Sequence, residues 1–196
     1  MEKFKGKYRI PSARWATWDY GNNGAYFITI CTANRDHSFG KIVKEEMILS
    51  AIGQSALDCW HEIPAHFPFV VLDQFVVMPN HVHGIVVIDK PVETQNLASV
   101  IGETQDVASG SVKETHNHAS LRGNKFGPQS KNLASIVRGY KIGVTKYARQ
   151  NNIPFAWQPR YHDHVIRNAD ECERVRNYIH GNPRKWAEDK FYSPHQ

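Results

Sequence analysis

His81-Val82-His83 lies inside a hydrophobic run, after Phe75-Val76-Val77-Met78-Pro79-Asn80 and before Gly84-Ile85-Val86-Val87-Ile88. Alternate side chains of a strand share a face. Both imidazoles therefore point the same way, beside Ile85 and Val87, with Val82, Gly84, Val86 and Ile88 opposite. Apart from the histidines both faces are apolar, as in a central strand covered on both sides. Two neighbouring imidazoles there are costly unless coordinated or hydrogen-bonded. A divalent metal would satisfy them; partial exposure at a strand end is the other reading. A second group lies near the far end of the chain. Tyr178 and Asn182 are spaced i, i+4, which on a helix puts a phenol and an amide oxygen on one face, although Pro183 disfavours α conformation at Asn182. A metal held by two imidazoles can take a third ligand, keep positions open for a phosphate and polarise its oxygens. A phenol, with a pKa of about 10, is a poor nucleophile unless its phenolate is stabilised. Beside such a phosphate it could attack a phosphodiester and conserve the bond energy in a phosphotyrosine ester.

These groups need elements to position them. Ala25-Tyr26-Phe27-Ile28-Thr29-Ile30-Cys31-Thr32 has strand composition. Ile48 through Ile63 has the apolar periodicity of a helix, ended by Pro64. Phe69 through Met78 and His81 through Ile88 form a hairpin turning at Pro79-Asn80. Asn132 through Gln150 forms a second helix, with Leu133, Ile136, Val137, Tyr140, Val144 and Tyr147 on an apolar arc and Lys131, Arg138, Lys141, Lys146 and Arg149 opposite. Tyr161 through Ile166 forms a short strand. A last helix is capped by Asn168 and ended by Gly181 and Pro183. Cys172, Val175 and Ile179 form its buried stripe, and Tyr178 lies at the edge. Strand, helix, strand, strand, helix, strand is a ferredoxin-like α+β order: an antiparallel sheet with a central histidine-bearing strand and packed helices.

At 196 residues the chain suits one domain with appendages. No apolar run is long enough to span a bilayer and no signal-peptide core begins the chain, so a cytoplasmic, nucleoid-associated location is expected. Cys31, Cys59 and Cys172, at wide spacing, suit a reducing compartment. The formal charge is +5, and Thr115 through His162 contains no Asp or Glu. A one-sign block with aromatics interleaved at both ends of the chain suits nucleic acid better than a merely solvated face. Between residues 89 and 129 a seven-residue unit occurs three times, as Glu93–Ser99, Glu103–Ser109 and Glu114–Ser120. Each copy is too short and polar to bury a face, so a mobile insertion is expected there, and His116 and His118 within it carry little weight as a site.

Met78-Pro79-Asn80-His81-Val82-His83-Gly84 resembles the histidine–hydrophobe–histidine (HUH) motif of single-tyrosine transposases, and most closely that of the REP-associated tyrosine transposases. Four further segments match in order: Arg9-Ile10-Pro11-Ser12-Ala13-Arg14, Tyr26-Phe27-Ile28-Thr29-Ile30-Cys31, Trp157-Gln158-Pro159-Arg160-Tyr161 and Tyr178-Ile179-His180-Gly181-Asn182-Pro183. The resemblance implies a metal-dependent single-stranded DNA endonuclease and strand transferase acting at hairpin-associated sites. In it His81 and His83 ligate Mg²⁺ or Mn²⁺. Tyr178 is the nucleophile that keeps a 5′-phosphotyrosine link and leaves a 3′-hydroxyl. Asn182 stands where the family has a third ligand, though many relatives carry the longer Gln there. Residues 1–24 would be a basic, aromatic arm, with Lys5, Lys7, Arg9, Arg14, Trp15 and Trp18 reading the single-stranded flank. Residues 25–196 would be the catalytic domain, interrupted by the insertion, and the protein a monomer or homodimer. Arg138, Lys141, Arg149 and Arg160 are further candidates for DNA contact. His162 and His164 make another His-x-His, for which a structural role is expected.

Two other readings are open to the residues. One is a non-catalytic module that stacks single-stranded bases on its sheet, for which the histidines occupy the wrong positions. The other is a metal-dependent phosphohydrolase, whose site would gather carboxylates; none is near His81 in sequence.

Overall fold

The computed structural model describes residues 3–4 and 7–8 as backbone, and residues 18–91 and 130–192 with their side chains. Lys7 belongs to the short β1–β2 pair (Lys3–Phe4 and Lys7–Tyr8). Arg9, Arg14, Trp15 and all three repeat units lie outside the described residues.

The body of the protein follows the expected order. β3 (Gly24–Cys31) comes first. The hairpin strands β4 (Gly40–Val43) and β5 (Glu46–Leu49) follow, then α1 (Ala51–His61) and the short α2 (Ile63–His66). Next are β6 (Val70–Met78), β7 (His81–Ile88), α3 (Leu133–Gln150), β8 (His162–Ile166) and α4 (Ala169–Gly181). The main sheet has the order β6-β7-β3-β8, and every pairing is antiparallel. With β3, α1, β6, β7, α3 and β8 as the six elements, this is the ferredoxin-like split βαβ topology, and β7 is one of its two central strands.

The two faces of the sheet are built differently. Tyr26, Ile28, Ile30, Val82 and Val86 face α1 and α3 and meet Trp60, Ile136, Val137, Tyr140 and Val144 in the larger core. Trp60 stacks on Phe75, centroids 4.2 Å apart, and crosses β7 at Gly84, where a Cβ would lie 2.4 Å from the indole. Glycine is required there for close approach. On the other face Ile85, Ile166 and Ile179 form a small core with Phe27, Val76 and Val175, and this seats α4. A two-pronged Arg176–Asp73 ion pair ties α4 to the irregular stretch of β6 between Leu72 and Phe75.

Four local expectations are corrected. Ile48 and Leu49 are not helical: they pair with Lys41 and Gly40 across a tight turn in which Lys44 and Glu45 have φ of 49° and 66°. Helix α1 begins only after Ser50, whose hydroxyl accepts the Gly53 N–H; a cap of this kind is worth about 1 kcal/mol. Pro64 does not end the helical path but opens α2, where its missing N–H costs nothing. Asn182 keeps helical angles (φ −61°, ψ −43°), because Pro183 starts a 3-10 segment, Pro183–Glu188, that continues the winding. Tyr147, expected in the core, is only partly buried.

Candidate active site

The hairpin register places Met78 opposite His81 and Val76 opposite His83, while Cys31 and Thr29 of β3 flank the histidines on the other side. Enclosed between two strands, His81 and His83 are 0% and 1% exposed. Their Nε2 atoms are 3.0 Å apart. The reading of partly exposed strand-end histidines is therefore excluded.

The outer ring nitrogens are held as well. Asn80 donates its Nδ2–H to the Phe191 carbonyl at 2.9 Å, which turns its Oδ1 toward His81 Nδ1 at 2.8 Å. His81 must then carry its proton on Nδ1, leaving Nε2 as a bare lone pair. His83 Nδ1 is 2.8 Å from the Thr29 hydroxyl. That hydroxyl can donate or accept, so it suits either tautomer, including the one that also bares Nε2. Burial pushes both imidazoles down, His81 well below the ordinary 6.5 and His83 to about 3, with Lys190 adding to the effect on each. Both are neutral ligands at neutral pH.

Tyr178, on α4, brings its phenol oxygen to 3.3 Å from His83 Nε2 and its ring edge-on to Phe27. It is 45% exposed, so the hydroxyl is both anchored and accessible. Its pKa is raised, by burial first and by the Asp189 carboxylate, while a hydrogen bond from Asn182 works the other way. The phenolate is thus unfavourable until positive charge arrives. Asn182 is buried, and its Oδ1 has no hydrogen-bond partner among the described residues. An orphaned buried carbonyl oxygen calls for an explanation, and a cation supplies one.

Asp189 is the residue that sequence reasoning missed. Its carboxylate joins His81 and His83 in a group whose ligand atoms all lie within 4.8 Å of one another. It stands 106 positions beyond His83, just after the 3-10 segment that follows α4. Only the helical Asn182 and the extra winding carry it back to β7, so no spacing rule could have found it. Two imidazole nitrogens, a carboxylate and an orphaned amide oxygen are a donor set that fits a divalent ion. His83, Tyr178, Asn182, Asp189, Lys185 and Lys190 line one open pocket of about 430 Å³. It collects His83, Asn182 and Tyr178 within a single chain, with His81 enclosed beside His83 rather than lining the pocket.

The other candidates fall elsewhere. Arg138 and Arg149 are exposed on α3, and Arg160 is exposed ahead of β8. Lys141 is drawn inward, its ammonium donating to the Gln158 carbonyl at 2.6 Å. Tyr140 is fully enclosed and its pKa is raised well above 10 by burial, which removes it as a nucleophile. His164 pairs with Glu171 of α4 at 2.8 Å, the expected structural role.

No protein-family model matches the chain. An uncharacterized protein of Haemophilus influenzae (strain Rd) is 37% identical over 189 residues, which cover 95% of each chain. The two proteins belong to one family. Among solved structures, the chain superposes on a REP-associated tyrosine transposase bound to a REP hairpin, with a TM-score of 0.56 over 93% of this chain and 77% of that one. This is the fold of a tyrosine transposase. The identity across that superposition is 18%, so the likeness is one of fold. Among the described residues of this transposase fold no helix is long and apolar enough to cross a membrane.

Proposed function

We propose that the protein is a metal-dependent transesterase of single-stranded DNA that cleaves beside hairpins and holds the 5′ end as a phosphotyrosine on Tyr178. The observation that carries this reading is the 3.3 Å approach of the Tyr178 hydroxyl to His83 Nε2, beside two Nε2 atoms 3.0 Å apart. A Mg²⁺ or Mn²⁺ ion held by His81, His83, Asp189 and Asn182 would polarise the scissile phosphate and offset the charge that raises the phenol pKa. Tyr178 gives up its proton, and its oxygen forms a bond to phosphorus as the bond from phosphorus to the 3′ oxygen breaks. The leaving 3′ oxygen takes a proton and departs as a hydroxyl. Lys185 and Lys190, which line the same pocket, neutralise the phosphate, and Phe27 and Ile179 keep the tyrosine from swinging away.

All of these groups come from one chain, which supports a reaction in cis, in a monomer or in each subunit of a homodimer. The exposed Arg138, Arg149 and Arg160, with Lys141 behind them, offer phosphate contacts outside the site, and the basic arm with Lys7, Arg9, Arg14 and Trp15 reads the flank. REP-like or transposon-end hairpins are the substrate class, as the DNA in the superposed transposase suggests. The stacking-module and phosphohydrolase readings both lack a use for Tyr178. Incubation with hairpin-bearing single strands and Mn²⁺ should give a covalent protein–DNA band, mapped to Tyr178 and lost in Tyr178→Phe while DNA binding persists. A link at another tyrosine, or cleavage that survives in Tyr178→Phe, defeats the proposal.

A further inference from the structure

A second cavity, of about 750 Å³, opens between α3 and the segment that leads into β8. Four cations line it, Arg138, Lys141, Lys146 and Arg149, together with the rings of Trp157 and Tyr161 and no carboxylate. Lys141 reinforces the wall: its ammonium sits 5.7 Å from the Trp157 ring centroid, and burial lowers its pKa. Ile142, 59% exposed, leaves an apolar surface that nothing described covers. A cationic rim around an aromatic, apolar wall is how proteins hold single-stranded nucleotides, with the base against the rings and the phosphate at the rim. An acidic protein partner would use the rim and leave the rings idle.

The cavity is on the opposite side of the sheet from Tyr178, because α3 packs against Val82 and Val86 whereas α4 packs against Ile85. The edge strand β8 joins the two sides. Tyr161 lines the cavity, and the next residue, His162, pairs with Thr29 of β3, whose other neighbour in the sheet is His83. We infer that this cavity seats one nucleotide of the single-stranded flank, the strand passing around the β8 edge between cavity and nucleophile. The inference rests on the proposed single-stranded DNA substrate and adds a second holding point, remote from the reacting phosphate.

The test uses the full chain and two probes, a hairpin alone and the same hairpin with a ten-nucleotide single-stranded flank carrying 5-iododeoxyuridine at one position at a time. The expected result is a photo-crosslink from one flank position to the peptide containing Trp157 and Tyr161. The paired variants Ile142→Glu and Lys146→Glu should weaken the flanked probe on the order of tenfold, leave the bare hairpin alone, and, for Lys146→Glu, lower the logarithmic salt slope by about 0.7. No crosslink in this peptide, or equal weakening of both probes, overturns the inference. The Tyr178 adduct is read in the same samples. An adduct without the crosslink sinks the cavity and spares the proposed reaction. The crosslink without an adduct does the reverse.

Discussion

The chain carries two described His-x-His pairs on strands of one sheet, and they have opposite fates. His81 and His83 sit on β7, between β6 and β3, fully enclosed, with their Nε2 atoms 3.0 Å apart. His162 and His164 sit on β8, which among the described residues pairs only with β3. His162 is exposed, and His164 is engaged with Glu171 of α4. The spacing is the same and places both members of each pair on one sheet face. Strand position decides the rest. A central strand strips water from the rings and lets neighbours fix their tautomers; an edge strand leaves one ring hydrated and gives the other to a carboxylate. A motif therefore specifies direction, and burial specifies chemistry.

The largest test of this contrast replaces the inner pair. His81→Gln with His83→Gln should abolish Mn²⁺ binding in titration calorimetry, and EDTA should leave the native protein equally unable to form the tyrosine adduct. Retained Mn²⁺ affinity in the double variant would mean that the oxygen ligands alone make the site. Acid should expose the same difference next. The folded pKa values of both inner histidines lie below 6.5, His83 near 3. Between those limits the unfolded chain binds more protons than the folded one, so the metal-free protein loses stability as pH falls from about 6.5 toward about 3. Denaturant titrations across that window should show a steeper decline for the native protein than for the double glutamine variant. Parallel declines would show that carboxylates alone account for the acid sensitivity.

The inner pair and its strand were legible because each rests on a local rule, whereas it was the family resemblance that implied Tyr178 as their partner. Alternation gave the shared face of His81 and His83, and i, i+4 spacing gave Tyr178 beside Asn182. The N-terminal edge of α3 was legible too, since Asn132 accepts the Ser135 N–H and Ser135 answers with its hydroxyl. What escaped depends on distant chain segments. The β4–β5 hairpin turns through two left-handed non-glycine residues, Lys44 and Glu45, where turn chemistry favours Gly or Asn. Without that turn in view, Ile48 and Leu49 extended the apolar period of α1. Asp189 escaped because its place at the site depends on how the chain leaves α4, which neither composition nor period encodes.

A smaller test moves outward from the ligands to what aims them. Thr29→Val keeps the shape of the side chain and removes the oxygen that faces His83 Nδ1 at 2.8 Å. Losing such an outer partner lowers metal affinity about 10–100-fold in comparable sites. Calorimetry with Mn²⁺ should find a loss in that range, with Thr29→Ser restoring most of it. An unchanged affinity in Thr29→Val would show that strand packing alone orients the ring.

The smallest effect is expected at the outer pair, and it closes the comparison from the other side. If position on the sheet rather than spacing makes a metal site, His162→Gln with His164→Gln should leave Mn²⁺ affinity unchanged. The loss at His164 should be local, because Glu171 has a second hold: its other carboxylate oxygen accepts the Arg167 backbone N–H at 2.8 Å. That backbone bond is also the largest influence lowering the Glu171 pKa, ahead of His164. The start of α4 is fixed further by Asn168, whose Oδ1 accepts the Glu171 N–H at 2.8 Å. Helix α4 should therefore keep its place and Tyr178 its approach to His83, so adduct formation with a hairpin-bearing single strand should match the native protein. A drop in Mn²⁺ affinity in this variant would mean that the edge histidines shape the inner site through their charge, and strand position would no longer be a sufficient account of why one pair binds metal.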